Sequence, residues 1–197
     1  MLRERVGPGV IAQAELEEPD TDTDEALAVR GDADSFVLLY RKHLRPVYGY
    51  LYARLGNRQE AEDVTTLVFE RAWLSLKRYR PSGSFKSWLF TIAQRGLSDH
   101  YRRRKPHPVR VESVADTLLD PAAGPEESAL ASEELRQVLE IIAGLSREQQ
   151  EVIALRFMAE LHYGEIAQVT GKREAAVKMI AYRALEEIRR RYESVPR

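Results

Sequence analysis

The stretch Tyr163–Leu185, YGEIAQVTGKREAAVKMIAYRAL, decides the fold, because two short helical patterns flank one glycine at a fixed spacing. Ala167 is small where two helices must cross closely, Gly171 supplies a positive-φ turn, and Val177 and Ile180 recur on one face of the second helix. This is the spacing of a helix-turn-helix, whose second helix lies in the major groove of DNA. Val177, Ile180, Ala181, Ala184, Leu185 and Ile188 make its buried stripe and leave Arg173, Lys178, Met179, Tyr182 and Arg183 pointing outward. Thr170 and Lys172 depart from the motif, the first standing where an apolar residue usually packs. The plain alternative is an amphipathic hairpin within an all-helical bundle.

The rest of the chain is also helical in pattern. From Phe36 the apolar positions Leu39, Tyr40, His43, Leu44, Val47, Tyr48, Leu51, Tyr52 and Leu55 form one stripe, with Pro46 inside it to bend the helix and Gly56 to end it. Asn57 and Glu60 have capping-box spacing and open a second helix on Ala61, Val64, Val68, Ala72 and Leu76. Pro81 and Gly83 break the chain. Ser84 then caps a third helix on Phe85, Trp88, Leu89, Ile92, Ala93, Gly96 and Leu97, which runs into a basic end and stops at Pro106. Trp73 and Trp88 both fall on stripes and read as core. Leu135, Val138, Leu139 and Ile142 make a further helix, and Ser146 with Gln149 caps the one before the helix-turn-helix. No strand-like alternation occurs, so the fold class is all-α, two small helical domains joined by a flexible linker.

Charge divides the chain in the same places. The net charge of −1 conceals segments of −6 (residues 1–28), +9 (29–105), −6 (106–146) and +2 (147–197). Residues 1–29 read as an acidic flexible tail that adds no core, 30–105 as a compact three-helix domain with a basic edge, 106–130 as a Pro-rich acidic linker and 131–193 as the helix-turn-helix domain. No window approaches the roughly 18 apolar residues of a membrane span, and the N-terminus is acidic where a secretory signal is basic and then apolar. The expected location is cytoplasmic, with no membrane insertion. With no cysteine, disulfides and thiolate chemistry are excluded. His43, His100, His107 and His162 are scattered without metal-ligand or nucleophile-base spacing, so no enzyme, cofactor or metal is expected, and His43 reads as packing.

Three motifs in order, AEDVTTLVFERAW (61–73), SFKSWLFTIAQRGLSDHYRRR (84–104) and LSREQQEVIALRF (145–157) with the helix-turn-helix behind it, resemble bacterial RNA polymerase sigma factors of the extracytoplasmic-function (ECF) type. The resemblance spans about residues 33–192 and implies sigma domains two and four. It implies a protein that binds core RNA polymerase (β′ and β subunits), directs promoter-specific initiation on DNA, performs no covalent chemistry, and has an anti-sigma factor as a possible further partner. Glu62 and Asp63, with Thr66 on the same helix, would bind core polymerase. Thr66 and Leu67 stand where members usually carry Gln and Glu, which makes Thr65 or Thr66 a candidate for phosphorylation, a phosphate adding about −1.5 to −2 charge. Arg95, His100, Tyr101, Arg102, Arg103 and Arg104 would engage the −10 region by phosphate contacts and stacking, with Arg95 and Gly96 in the place of an Arg-Asn pair. Lys172, Arg173, Lys178, Tyr182 and Arg183 would engage the −35 duplex, Lys178 foremost. The linker would enter the polymerase near its active-site cleft. A stand-alone helix-turn-helix regulator, binding an operator without polymerase, is the alternative.

Overall fold

The computed structural model describes residues 23–103 and 136–194, and every regular element among them is a helix. In chain order these are α1 (Asp24–Arg30), α2 (Ala33–Leu55), α3 (Arg58–Leu76), α4 (Phe85–Arg103), α5 (136–143), α6 (Arg147–Phe157), α7 (Tyr163–Thr170) and α8 (Glu174–Glu193). The linker assignment, Arg104, His107 and Leu135 lie outside the described residues.

Local chemistry sets the ends of these helices. Asn57 accepts from the Glu60 N–H at 3.0 Å to open α3, and Ser146 and Gln149 form a reciprocal capping box at α6. Gly56 and Gly171 close α2 and α7 at φ 61° and 68°, the left-handed conformation that a Cβ disfavours. α2 continues through Pro46 as one helix. At the C-terminal end of α2, Tyr50, Leu51, Tyr52 and Leu55 are all buried, the pattern of a helix covered on every side.

α2, α3 and α4 make the N-terminal unit, whose core includes Leu51, Val68, Leu89 and Phe90. Gly96 lets α4 lie close on α3: a Cβ there would stand 3.4 Å from Val68 Cγ2. Residues 24–28, read as tail, instead form most of α1. Thr23 caps this helix, it buries Leu27 and Ala28, and its Glu25 carboxylate accepts the Phe85 N–H at 2.7 Å at the start of α4. The acidic run therefore contributes core and a cap.

α6, α7 and α8 form the C-terminal unit around Leu155, Leu161, Ile166 and Val177. The two units do not stand apart. α7 packs along α4, α6 meets α2, and buried residues of both belong to one continuous apolar cluster. Gly83 belongs to this seam, since a Cβ on it would lie 2.7 Å from the Gln168 Oε1 of α7. Two other residues differ from the sequence reading. Trp73 is 40% exposed and packs against Phe36 at the rim, with ring centroids 5.0 Å apart, while Leu185 is 41% exposed because the stripe of α8 is narrower than its apolar sequence. Tyr40 is likewise partly exposed, its ring edge-on to Phe69.

Candidate nucleic-acid interface

Helix α8 presents the first cluster. Val177, Ala181 and Ala184 face the core, and Lys178, Met179, Tyr182 and Arg183 lie on the exposed side with Arg173 at the N-cap. This leaves cations and one phenol on the part of the helix that a groove reader inserts first. Two of the cations already have partners: Lys178 Nζ lies 2.6 Å from Glu174, one turn earlier, and Lys172 Nζ lies 2.6 Å from Glu148 of α6. Exposed pairs of this kind contribute little and exchange readily for phosphate.

The second cluster is the end of α4, where the predicted residues diverge. Arg95 and Arg102, seven residues apart, share one exposed stripe, and Arg103 is exposed beside it. Arg102 is tied to Asp99 at 2.8 Å, and Asp99 also takes Arg71 at 3.0 Å. His100 turns inward to Glu60 of α3 at 2.9 Å, which bridges two helices. Tyr101 turns the other way, towards α2, and its hydroxyl donates to the Arg54 carbonyl. Burial pushes this phenol's pKa up. The Tyr101 ring is thus held against the protein here, and Gly96 is packed against α3.

On α3, Glu62 pairs with Arg58 at 2.8 Å and Asp63 accepts from Gln59 at 3.3 Å, both one turn earlier. Thr66 is exposed, and its hydroxyl donates to the Glu62 carbonyl at 3.0 Å. Thr65 is 5% exposed, so its hydroxyl is much less accessible to a phosphate donor than that of Thr66. Glu62 and Thr66 line a groove with Tyr40, Arg41, Arg45 and Tyr48 of α2, side chains that periodicity had assigned to core or left aside. Sequence reasoning also missed Tyr50 and Arg54. The unbroken apolar run at the end of α2 was the available signal.

Residues 39–107 match the family described as Sigma-70 region 2, and residues 135–188 match Sigma-70, region 4. The ECF RNA polymerase sigma factor BldN of Streptomyces coelicolor is 34% identical over 183 residues, covering 87% of this chain and 68% of that one. This chain belongs to the ECF RNA polymerase sigma factors. The RNA polymerase sigma factor YlaC of Bacillus subtilis is 30% identical over 161 residues, covering 80% of this chain and 91% of that protein. The solved structure of the sigma factor RpoE with the anti-sigma factor NepR from Bartonella quintana shares the fold, at a TM-score of 0.64 and 19% identity over 83% of this chain and 100% of that one. As a sigma factor the protein directs promoter-specific transcription initiation. The region 2 match falls on α2–α4, hereafter domain two, against which α1 packs, and the region 4 match falls on α5–α8, hereafter domain four. A stand-alone regulator leaves the region 2 match unexplained. Among the described residues no helix is long and apolar enough to cross a membrane.

Proposed function

We propose that α8 reads the −35 duplex through Lys172, Arg173, Lys178, Tyr182 and Arg183. In the same scheme the end of α4 engages −10 DNA through Arg95, Arg102 and Arg103, with His100 and Tyr101 behind them and Arg104 extending the basic run. The α3 face bearing Glu62, Asp63 and Thr66 docks on core polymerase. The observation that carries this reading is the division of α8 into a buried small-residue stripe and an exposed cationic face, which positions charge without spending core.

Binding is the whole mechanism, with no covalent step. Two modest DNA contacts on one chain, added to a polymerase contact, gain affinity through effective concentration. The chain works in the cytoplasm, and the groove between α2 and α3 also suits an anti-sigma factor of the kind that RpoE binds in its solved complex. Thr66 is the accessible phosphate acceptor.

The test is reconstitution with sigma-free core polymerase. Co-elution on size exclusion, and initiation from a promoter bearing both elements, are expected. Reduced co-elution of Glu62→Lys/Asp63→Lys and improved co-elution of Thr66→Glu/Leu67→Glu are expected with it. Operator-like binding in the absence of polymerase, with no co-elution, would overturn the assignment of α3.

A further inference from the structure

The groove between α2 and α3, about 760 Å³, carries more cation than its own carboxylate matches. Arg41 and Arg45 of α2 and Arg58 of α3 line it, with the buried Phe69 and half-buried Leu44 among its apolar side chains. Arg58 is held by Glu62 at 2.8 Å, whereas exposed Arg41 and Arg45 pair with no carboxylate among the described residues. This is a poor setting for the neighbouring face of α3. Glu62 and Asp63 suit a basic partner, and three guanidinium groups beside them repel one. Together these five side chains sum to +1.

The missing acid lies in the same chain. Residues 15–22, ELEEPDTD, outside the described residues, hold five carboxylates and no cation. They end two residues before Asp24, which is fixed on α2 by Lys42 Nζ at 2.6 Å and His43 Nε2 at 2.8 Å. Arg45 and Arg41 follow Lys42 round α2 on one side, at roughly 60° and 100° by the helical period. Eight residues can span up to roughly 28 Å, more than twice the diameter of a helix, so the segment reaches the groove from its anchor. Leu16, between Glu15 and Glu17, brings an apolar side chain that can cover Phe69 and Leu44.

We propose that residues 15–22 seat on Arg41, Arg45 and Arg58 in this groove and complete an acidic docking face for core polymerase, supplying charge that Thr66 and Leu67 do not carry. Five added carboxylates take the sum over the groove arginines, Glu62 and Asp63 from +1 to −4. The inference rests on the assignment of α3 to core docking. The short tether makes the seat intramolecular, so exposed ion pairs that are individually weak suffice to fill it. An anti-sigma factor entering the groove has to displace the segment.

The experiment uses the full chain, which has no cysteine, with a dye on Ala14→Cys. Fluorescence anisotropy then reports the seat without polymerase. Arg41→Glu/Arg45→Glu is expected to release the segment and lower the anisotropy as far as high salt does, and Glu17→Arg/Glu18→Arg in the same chain to raise it again. Both arginines are exposed, so helix content by circular dichroism should be unchanged. Neutralising the segment with Glu15→Gln/Glu17→Gln/Glu18→Gln/Asp20→Asn should lower the anisotropy too, and should weaken binding of sigma-free core polymerase about tenfold at low salt. Anisotropy that ignores the arginines, no recovery on charge reversal, or core binding that stays equal or tightens with the neutral segment would each overturn the proposal. So would an added acidic peptide or pyrophosphate that fills the groove while the segment stays free. Undiminished co-elution of Glu62→Lys/Asp63→Lys with core polymerase would instead remove α3 from core docking, and the anisotropy series would still decide the seat, so the two fail separately.

Discussion

Asp24 Oδ2 lies 2.8 Å from Nε2 of His43, whose ring is 2% exposed, so one carboxylate fastens α1 to the centre of domain two. Lys42 Nζ holds the other oxygen at 2.6 Å. Burial alone would raise this carboxyl, but the hydrogen bonds and charges of His43 and Lys42 outweigh it and bring the pKa from 3.8 to about 2.

As pH falls, the unfolded chain takes up the Asp24 proton before the folded one does. The contribution is therefore complete above about pH 4 and is lost as pH falls through about 2, and it amounts to about 1–2 kcal/mol after allowance for screening at its wet edge. Asp24→Asn should lose about that much at pH 7 and show a shallower decline in acid. Urea unfolding between pH 6 and 2 measures both; parallel curves would remove Asp24 from the account.

Gly96 makes a two-signed prediction. A methyl there meets Val68 Cγ2 at 3.4 Å and Val64 Cγ1 at 3.5 Å, ordinary contact distances, and Ala is favoured over Gly within a helix by about 0.8–1 kcal/mol. Gly96→Ala should therefore be neutral or stabilising. Gly96→Leu should cost about 1–3 kcal/mol by overpacking the α3–α4 contact. Denaturant midpoints of the two variants should move in opposite directions, and a large loss for Ala would contradict the packing described.

Gly171, at φ 68° with open space where a Cβ would go, is constrained by its backbone alone. Gly171→Ala should destabilise domain four by about 1 kcal/mol, with Gly171→Asn costing less because Asn tolerates the left-handed region. Thermal unfolding of the three proteins gives the order, and equal midpoints for Ala and Gly would contradict it.

Lys178 and Arg183 are separable by salt. If Lys178 meets a phosphate, Lys178→Ala lowers affinity evenly across promoter sequences and reduces the slope of log K against log salt by about 0.9. A base contact by Arg183 instead costs about 1–3 kcal/mol and relaxes preference at one position. Titrations of holoenzyme on −35 variants distinguish these outcomes, and a sequence-dependent loss for Lys178→Ala would reverse its assignment.

The sequence made most of the helices legible through caps and period. Gly56, Asn57, Ser146 and Gly171 act locally, and local chemistry can be read from neighbours along the chain. α1 was hidden by composition: the run DTDTDE resembles a solvated segment, although Thr23 with Asp24 and Glu25 behind it is also a helix start. Trp73 and Leu185 were misjudged because a period names the face of a helix and not how far the neighbouring helix extends over it. Tyr50 and Arg54 depend on Glu151, about a hundred residues away, and no local pattern carries that pairing. The cations of α8 were found by elimination from its stripe, whereas the inward turn of His100 and Tyr101 required the positions of α3 and α2.

The continuous apolar cluster shared by the two domains also has a thermal signature. Parting them wets Tyr50 and the surfaces of α4 and α7, and exposing apolar surface raises heat capacity. Thermal unfolding followed by calorimetry should therefore show one cooperative transition for the two units rather than two, with a heat-capacity change that includes the area they share.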